Sequence, residues 1–236
     1  MTSLSKNARV AGLLYIVASV VGVVRFIYIP SALFVSGNAT ATANNIVAHE
    51  SLFRLGLVSQ LVASALWLFV PLALYQLFKG VDQTLAILMV ILGSLMQVPI
   101  FVVNVANDVA ALLFARGGDF LAVFDKPQRD AFARLFLNLH HQLDMANMMF
   151  AGLWLFPFGL LVYRSRFLPR FLGAWLMIAC FAWLVYCFNS FLFPGHDDKV
   201  FSLIQPFTLG EVATMLWLAI LGARENSNRH QYVTPS

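Results

Sequence analysis

Apolar residues in this chain do not alternate with polar ones; they come in long runs separated by short polar intervals. Six runs, at about 10–34, 53–78, 84–114, 136–163, 170–193 and 201–223, reach the length of ~20 apolar residues that a helix needs to cross a bilayer. The intervals between them carry helix-ending chemistry: GVDQT after Lys79, RSRFLPR after Tyr163 and FPGHDDK after Leu192, with Gly and Pro where helices stop. The pattern predicts an all-α polytopic membrane protein, a six-helix bundle forming one integral membrane domain over 1–236. The run from Thr84 to Phe114 exceeds what a bilayer requires, which implies a tilted or protruding helix.

Composition agrees. Hydrophobic residues make up 60% of the chain, charged residues 11%, and the mean hydropathy is +0.79, far outside the range of a soluble domain of 236 residues. The first run begins like a secretory signal, with Lys6 and Arg9 before an apolar core. It continues to Val35, interrupted only by Arg25 and Pro30, and lacks a small-residue cleavage box, so it reads as a retained span. Cys180 and Cys187 stand seven apart on one run, about 10 Å by helical rise, too far to bridge.

The net charge of +4 speaks about topology rather than nucleic acid, because clusters of aromatic residues with Lys or Arg that could stack bases are absent. With a cytoplasmic N-terminus, Lys6, Arg9, Lys79, Arg164, Arg166, Arg170, Arg224 and Arg229 fall inside. Arg54, Arg116, Lys126, Arg129, Arg134 and Lys199 then fall outside. The tally favours both termini in the cytoplasm. At 1.5 Å per residue, Asp108, Asp144 and Arg54 then lie about 30 to 38 Å from the inner face, at the outer boundary. His49, Glu50, Asn104, Asn107, His140, His141, Asn189 and His196 share that side, so the polar chemistry is one-sided.

Helical spacing organises this group. Gln97, Asn104 and Asp108 form one stripe on the third span, and His140, His141 and Asp144 can share a face of the fourth. Glu50 and Arg54, four apart, can bond along their helix at its outer end. Two readings stand side by side: residues at headgroup level that bond water and one another, or an outer pocket made by Asn104, Asp108, His140, His141 and Asp144. Deeper in the bundle, Arg25 and Glu211 lie at about 24 and 20 Å above the cytoplasmic boundary, within hydrocarbon. A lone charge there costs at least about 2.5 kcal/mol. Matched depth and opposite sign make the two a candidate intramembrane ion pair, with snorkelling of Arg25 toward headgroups as the alternative. The HHxxD set at 140, 141 and 144 supplies zinc-type ligands but lacks the spacing of HExxH, a weak metal signal. GxSxG, P-loop and GxGxxG motifs are absent, so the sequence identifies no catalytic nucleophile and no cofactor. The small residues Gly12 with Ala8 and Gly152 with Ala151 permit close helix contact.

The segments ARVAGLLYIVASVVGVV, ATANNIVAHESLFRLG, PLALYQLFKGVDQTLA, GLWLFPFGLLVYRSRFLPRFLGAW and GEVATMLWLAILG, in this order, resemble the bacterial membrane family catalogued as domain of unknown function 4386. The resemblance covers nearly the whole chain. It implies a multi-pass protein of the bacterial cytoplasmic membrane and brings no established reaction. Relatives often carry a His about twelve residues before the glycine of the GLWL-like segment, so the resemblance selects His140, before Gly152, over His141. The turn in the family usually reads like RSGFLPR, whereas Arg166 stands here in place of the glycine, which puts the turn geometry in question.

Three functions compete on this reading. The first is binding or transport of a small molecule or lipid, in which outer polar groups meet a hydrophobic bundle and Arg25 with Glu211 holds or gates the cavity. The second is an intramembrane enzyme using His140, His141 and Asp144, with or without Asp108, as metal ligands or as acid and base. The third is a structural or regulatory membrane partner with no ligand of its own. The lipid bilayer is the partner common to all three.

Overall fold

The structure is a computed structural model and describes residues 3–223; Arg224 and Arg229, which enter the charge tally, lie outside the described residues. Among the described residues the elements are helical. They are α1 (Leu4–Leu33), α2 (Ala39–Ala48), α3 (Glu50–Phe78), α4 (Gln83–Arg116), α5 (Lys126–Ser165), α6 (Arg170–Leu192) and α7 (Asp197–Ile220). All except α2 are long and apolar enough to cross a membrane.

The helix ends show why the chain breaks where it does. Asn38 starts α2 by accepting from the Ala41 N–H at 2.9 Å, and Asp82 starts α4 by accepting from Leu85 at 3.1 Å. The largest departure from the expected spans is α5, which begins at Lys126 instead of 136. Its start is a reciprocal cap: the Asp125 carboxylate accepts from the Gln128 N–H at 2.8 Å, and the Gln128 side chain accepts from the Asp125 N–H at 3.0 Å. Pro127 sits in the first turn, where no intrahelical donor is needed. This opening is too polar to register as part of an apolar run. Helix α7 likewise begins earlier than its apolar run, with Asp197 and Asp198 at the positive end of its dipole.

The chain folds into two compact units, each gathered from separated segments. Of the described residues, unit 1 takes those up to Ile16, Phe69–Leu95 and those from Met148 onward; unit 2 takes Val17–Leu68 and Met96–Asn147. In unit 1, Gly159 on α5 and Gly173 on α6 meet backbone to backbone, since a Cβ on Gly159 would lie 2.7 Å from the Gly173 carbonyl oxygen. Gly12 packs as closely on Leu218, and Gly152 on the Cys180 carbonyl, as the small-residue pairs suggested. Trp154 anchors this unit, stacked on Phe158 at 5.4 Å between centroids and tilted against Tyr15 at 5.8 Å. Unit 2 has an apolar cluster of Ile29, Leu33, Ile46, Phe53, Leu57, Ala111, Leu112 and Leu137.

Burial is inverted relative to a water-soluble protein. Val20, Leu55, Val103, Phe181 and Leu203 are exposed, while Arg25, Gln60, Gln97, Asn104, Asp108, His140, Asp144 and Asn147 are buried. Lipid tails are as apolar as these outward side chains, whereas a polar group facing them would lose its partners. With six spanning helices, the chain is a multi-pass membrane protein.

Arg166 resolves the question raised by its turn. It ends α5 in the left-handed conformation, at φ 60° and ψ −6°, and is the one non-glycine residue with positive φ among the described residues. The turn therefore keeps the geometry that favours glycine while carrying a side chain that strains it. Arg166→Gly is expected to raise the unfolding free energy by about 0.5 to 1 kcal/mol, the relieved strain less the extra freedom of the unfolded chain. Thermal unfolding in detergent checks this, and a lowered melting temperature would contradict it.

Candidate functional site

The polar centre of unit 2 starts from a local irregularity. Helix α1 opens into a π turn over Val24–Tyr28, and Arg25 within that turn is only 3% exposed. Its stem passes Gly56 of α3, where a Cβ would lie at an ordinary contact distance of 3.5 Å from Arg25 Cδ but only 2.7 Å from Cγ1 of the neighbouring Ile29, so it is Ile29 that requires the glycine. The guanidinium meets Asp108 of α4 as a two-pronged pair, with Nε donating to Oδ2 and Nη2 to Oδ1, both at 2.6 Å. Asp108 is fully buried. The Phe34 ring lies 5.8 Å from the guanidinium carbon and adds a cation–π contact.

His140 of α5 extends the pair into a network. Its Nδ1 lies 3.1 Å from Asp108 Oδ1, 3.2 Å from the Asn104 carbonyl and 3.2 Å from Arg25 Nη2. Arginine is only a donor, so these contacts exclude one another: Nδ1–H donates to Asp108 or Asn104, or an unprotonated Nδ1 accepts from Arg25. On the other side of the ring, Nε2 lies 3.1 Å from Asp144 Oδ2. That contact has the distance of an ion pair without the alignment of a hydrogen bond, leaving Nε2 without a hydrogen-bond partner among the described residues. Asn104 closes the circuit through its amide, which donates to Asp144 Oδ1 at 2.7 Å and to the His140 carbonyl at 3.2 Å. One arginine, two carboxylates, a histidine and an asparagine, buried together, thus hold one another.

A cavity of about 410 Å³ adjoins this network. Phe26, Pro30, Phe34 and Leu137 form its apolar lining; Arg25, His140 and Asp144 of the network, together with Ser36, Arg134, Asn138 and His141, form its polar lining.

Of the residues singled out in the sequence, Asn104, Asp108, His140 and Asp144 thus meet in one network, and His141 is exposed and lines the cavity. Glu50 and Arg54 bond along α3 at 2.7 Å, and Arg116 approaches the same carboxylate at 3.4 Å. These pairs are exposed and contribute little, about 0 to 1 kcal/mol. The expected pairing of Arg25 with Glu211 is corrected: Arg25 pairs with Asp108, and Glu211, in unit 1, accepts a hydrogen bond from the Tyr15 hydroxyl. Depth counted from helical rise says nothing about which way a side chain faces, and the rise is not uniform where α1 and α4 carry π turns, at Val24–Tyr28 and Ile91–Leu95. Among the described residues no three His, Cys, Asp or Glu side chains gather as a metal set. The contributions of Gly56, Phe34 and Arg134 went unread in the sequence. Gly56 closes the motif ATANNIVAHESLFRLG, and Arg134 entered only the charge tally.

The fit at Gly56 yields a test. Gly56→Ala places a methyl against Ile29 and is expected to cost about 1 to 3 kcal/mol as overpacking. Gly80→Ala, where nothing lies within 4 Å, is expected to be near neutral. Unfolding of the two variants in the same detergent measures the difference, and equal melting temperatures would contradict the close approach of α1 to α3 at Ile29.

No curated protein and no solved structure matches the chain. A family model described as a domain of unknown function, DUF4386, matches residues 10–222. That match takes in every residue of the network and of the cavity lining, and the chain therefore belongs to the family catalogued as domain of unknown function 4386.

Proposed function

We propose that unit 2 is a binding site for a small amphiphilic molecule or lipid, in a protein of binding or transport type. The observation that supports this most strongly is the cavity, whose size falls in the range of small-molecule sites and which sets an apolar lining against a few convergent polar groups. Its polar lining rests on a network that is itself buried, so Arg25, His140 and Asp144 meet a ligand already oriented. A second reading, an intramembrane enzyme, draws on His140, whose ring lies 3.1 Å from Asp108 on one side and 3.1 Å from Asp144 on the other. A histidine between two carboxylates is placed to accept and return a proton. For either reading the membrane is the cytoplasmic one, both termini are cytoplasmic and the cavity opens on the outer side.

Two experiments test these statements. The protein purified in mild detergent is expected to retain a small molecule or lipid enriched over the bulk extract, seen by native mass spectrometry. Asn138→Trp, which fills the cavity from an exposed lining position, is expected to lose it without a change in melting temperature. Equal retention by both proteins would remove the cavity as the site. For orientation, reporter fusions after Lys79 and after Arg170 are expected to behave as cytoplasmic and a fusion within 116–134 as external. The opposite signals would invert the topology.

A further inference from the structure

Arg25 and Arg134 balance Asp108 and Asp144 in number, but the charges around the cavity are not all paired, and the one without a partner points to the chemistry of the ligand. Arg25 is neutralised by Asp108, whose two carboxylate oxygens each take one prong of the guanidinium. The second carboxylate, Asp144, is engaged by the Asn104 amide at Oδ1 and faces His140 at Oδ2. Arg134 is different. It lines the cavity half-buried, and among the described residues it has neither an acidic partner nor a hydrogen bond. Asn138, one helical turn further along α5, and the neighbouring His141 also line the cavity, with side chains that make no hydrogen bond to a described residue. His140 adds a buried Nε2 with no hydrogen-bond partner. The lining therefore offers one unpaired permanent cation beside side chains that can donate or accept, while its carboxylates are already engaged. A cationic ligand would meet Arg134 unscreened, and a neutral one would leave it unpaired. An oxyanion would satisfy it, because a guanidinium fork matches the oxygens of phosphate or carboxylate.

We infer that the ligand presents an oxyanion, phosphate or carboxylate, to Arg134, with its apolar body against Phe26 and Phe34. This rests on the cavity being a ligand site, as proposed above.

The test uses the full chain in uncharged detergent and three probes: dioctanoyl phosphatidic acid, dioctanoylglycerol, which has the same tails without the phosphate, and inorganic phosphate. Phosphatidic acid is expected to bind about 10- to 100-fold more tightly than the glyceride, the scale of a charge-assisted hydrogen bond. Arg134→Gln is expected to abolish that preference while leaving glyceride binding unchanged. Should Arg134→Gln fail to fold, Asn138→Asp supplies the same test, because it places a carboxylate one helical turn from Arg134 to occupy the guanidinium. Competition by inorganic phosphate that depends on Arg134 would support the inference and identify a soluble anion as the source; selective phosphatidic acid binding without such competition would support it with a lipid headgroup as the source. Equal binding of phosphatidic acid and glyceride, both blocked by Asn138→Trp, would overturn the oxyanion while leaving the cavity as a site. Binding of none of the probes, or binding unaffected by Asn138→Trp, would overturn the oxyanion inference as well, and in the latter case the cavity with it.

Discussion

A guanidinium buried inside a membrane-spanning bundle obliges the surrounding helices to bring a negative charge to it, and the arrangement of unit 2 follows from how Arg25 is met. Asp108 supplies the charge from α4 through two donor contacts of 2.6 Å. The π turn of α1 carries Arg25, and its stem passes α3 beside Gly56, where the neighbouring Ile29 packs too close for a side chain. His140 then meets the pair at Asp108 Oδ1 and Arg25 Nη2, and Asn104 ties His140 to Asp144. Four helices are thereby committed to one polar centre. Between apolar helices in lipid there is no hydrophobic drive to associate, so a contact of this kind and close glycine packing are the main sources of specificity.

The described residues of unit 1 are organised differently. Its helices are held by glycine-mediated backbone contacts and by aromatic packing around Trp154, and Glu211 is met by the Tyr15 hydroxyl rather than by a cation. The contrast bears on function. Unit 2 carries the polar network together with a cavity that opens onto it, whereas the polar contact of Glu211 lies among packed aromatic residues. A hydrogen-bonded network that already orients its members can receive a ligand with little rearrangement, which is why the functional proposal rests on unit 2.

Much of this was legible in the sequence, and the rest was hidden for physical reasons. Apolar run length was sufficient to find six spanning helices, because a bilayer sets that length. Helical spacing was sufficient to place Asn104 with Asp108 and His140 with Asp144 on common faces, because the period of a helix fixes which residues lie together. The partner of Arg25 was not legible: rise along a helix gives only an approximate depth and leaves azimuth open, so counting favoured Glu211 at matched depth and set Asp108 at the outer boundary, although Asp108 is the carboxylate that faces Arg25. The first ten residues of α5 escaped because Lys126, Gln128, Arg129, Asp130 and Arg134 break up any apolar run there, although the Asp125 and Gln128 cap that starts them was written in the sequence. Gly56 escaped because a glycine in an apolar helix announces close packing without naming what packs on it.

A double-mutant cycle on Arg25 and Asp108 tests the central claim, that this pair holds unit 2 together. Each single replacement by leucine leaves the other charge buried without its partner, which typically costs about 3 to 5 kcal/mol, whereas removing both leaves no unpaired charge. Unfolding of Arg25→Leu, Asp108→Leu and the double variant in one detergent gives the coupling energy directly. The ion pair predicts a double variant more stable than either single variant. Losses that simply add would contradict it and show that the two charges do not depend on each other.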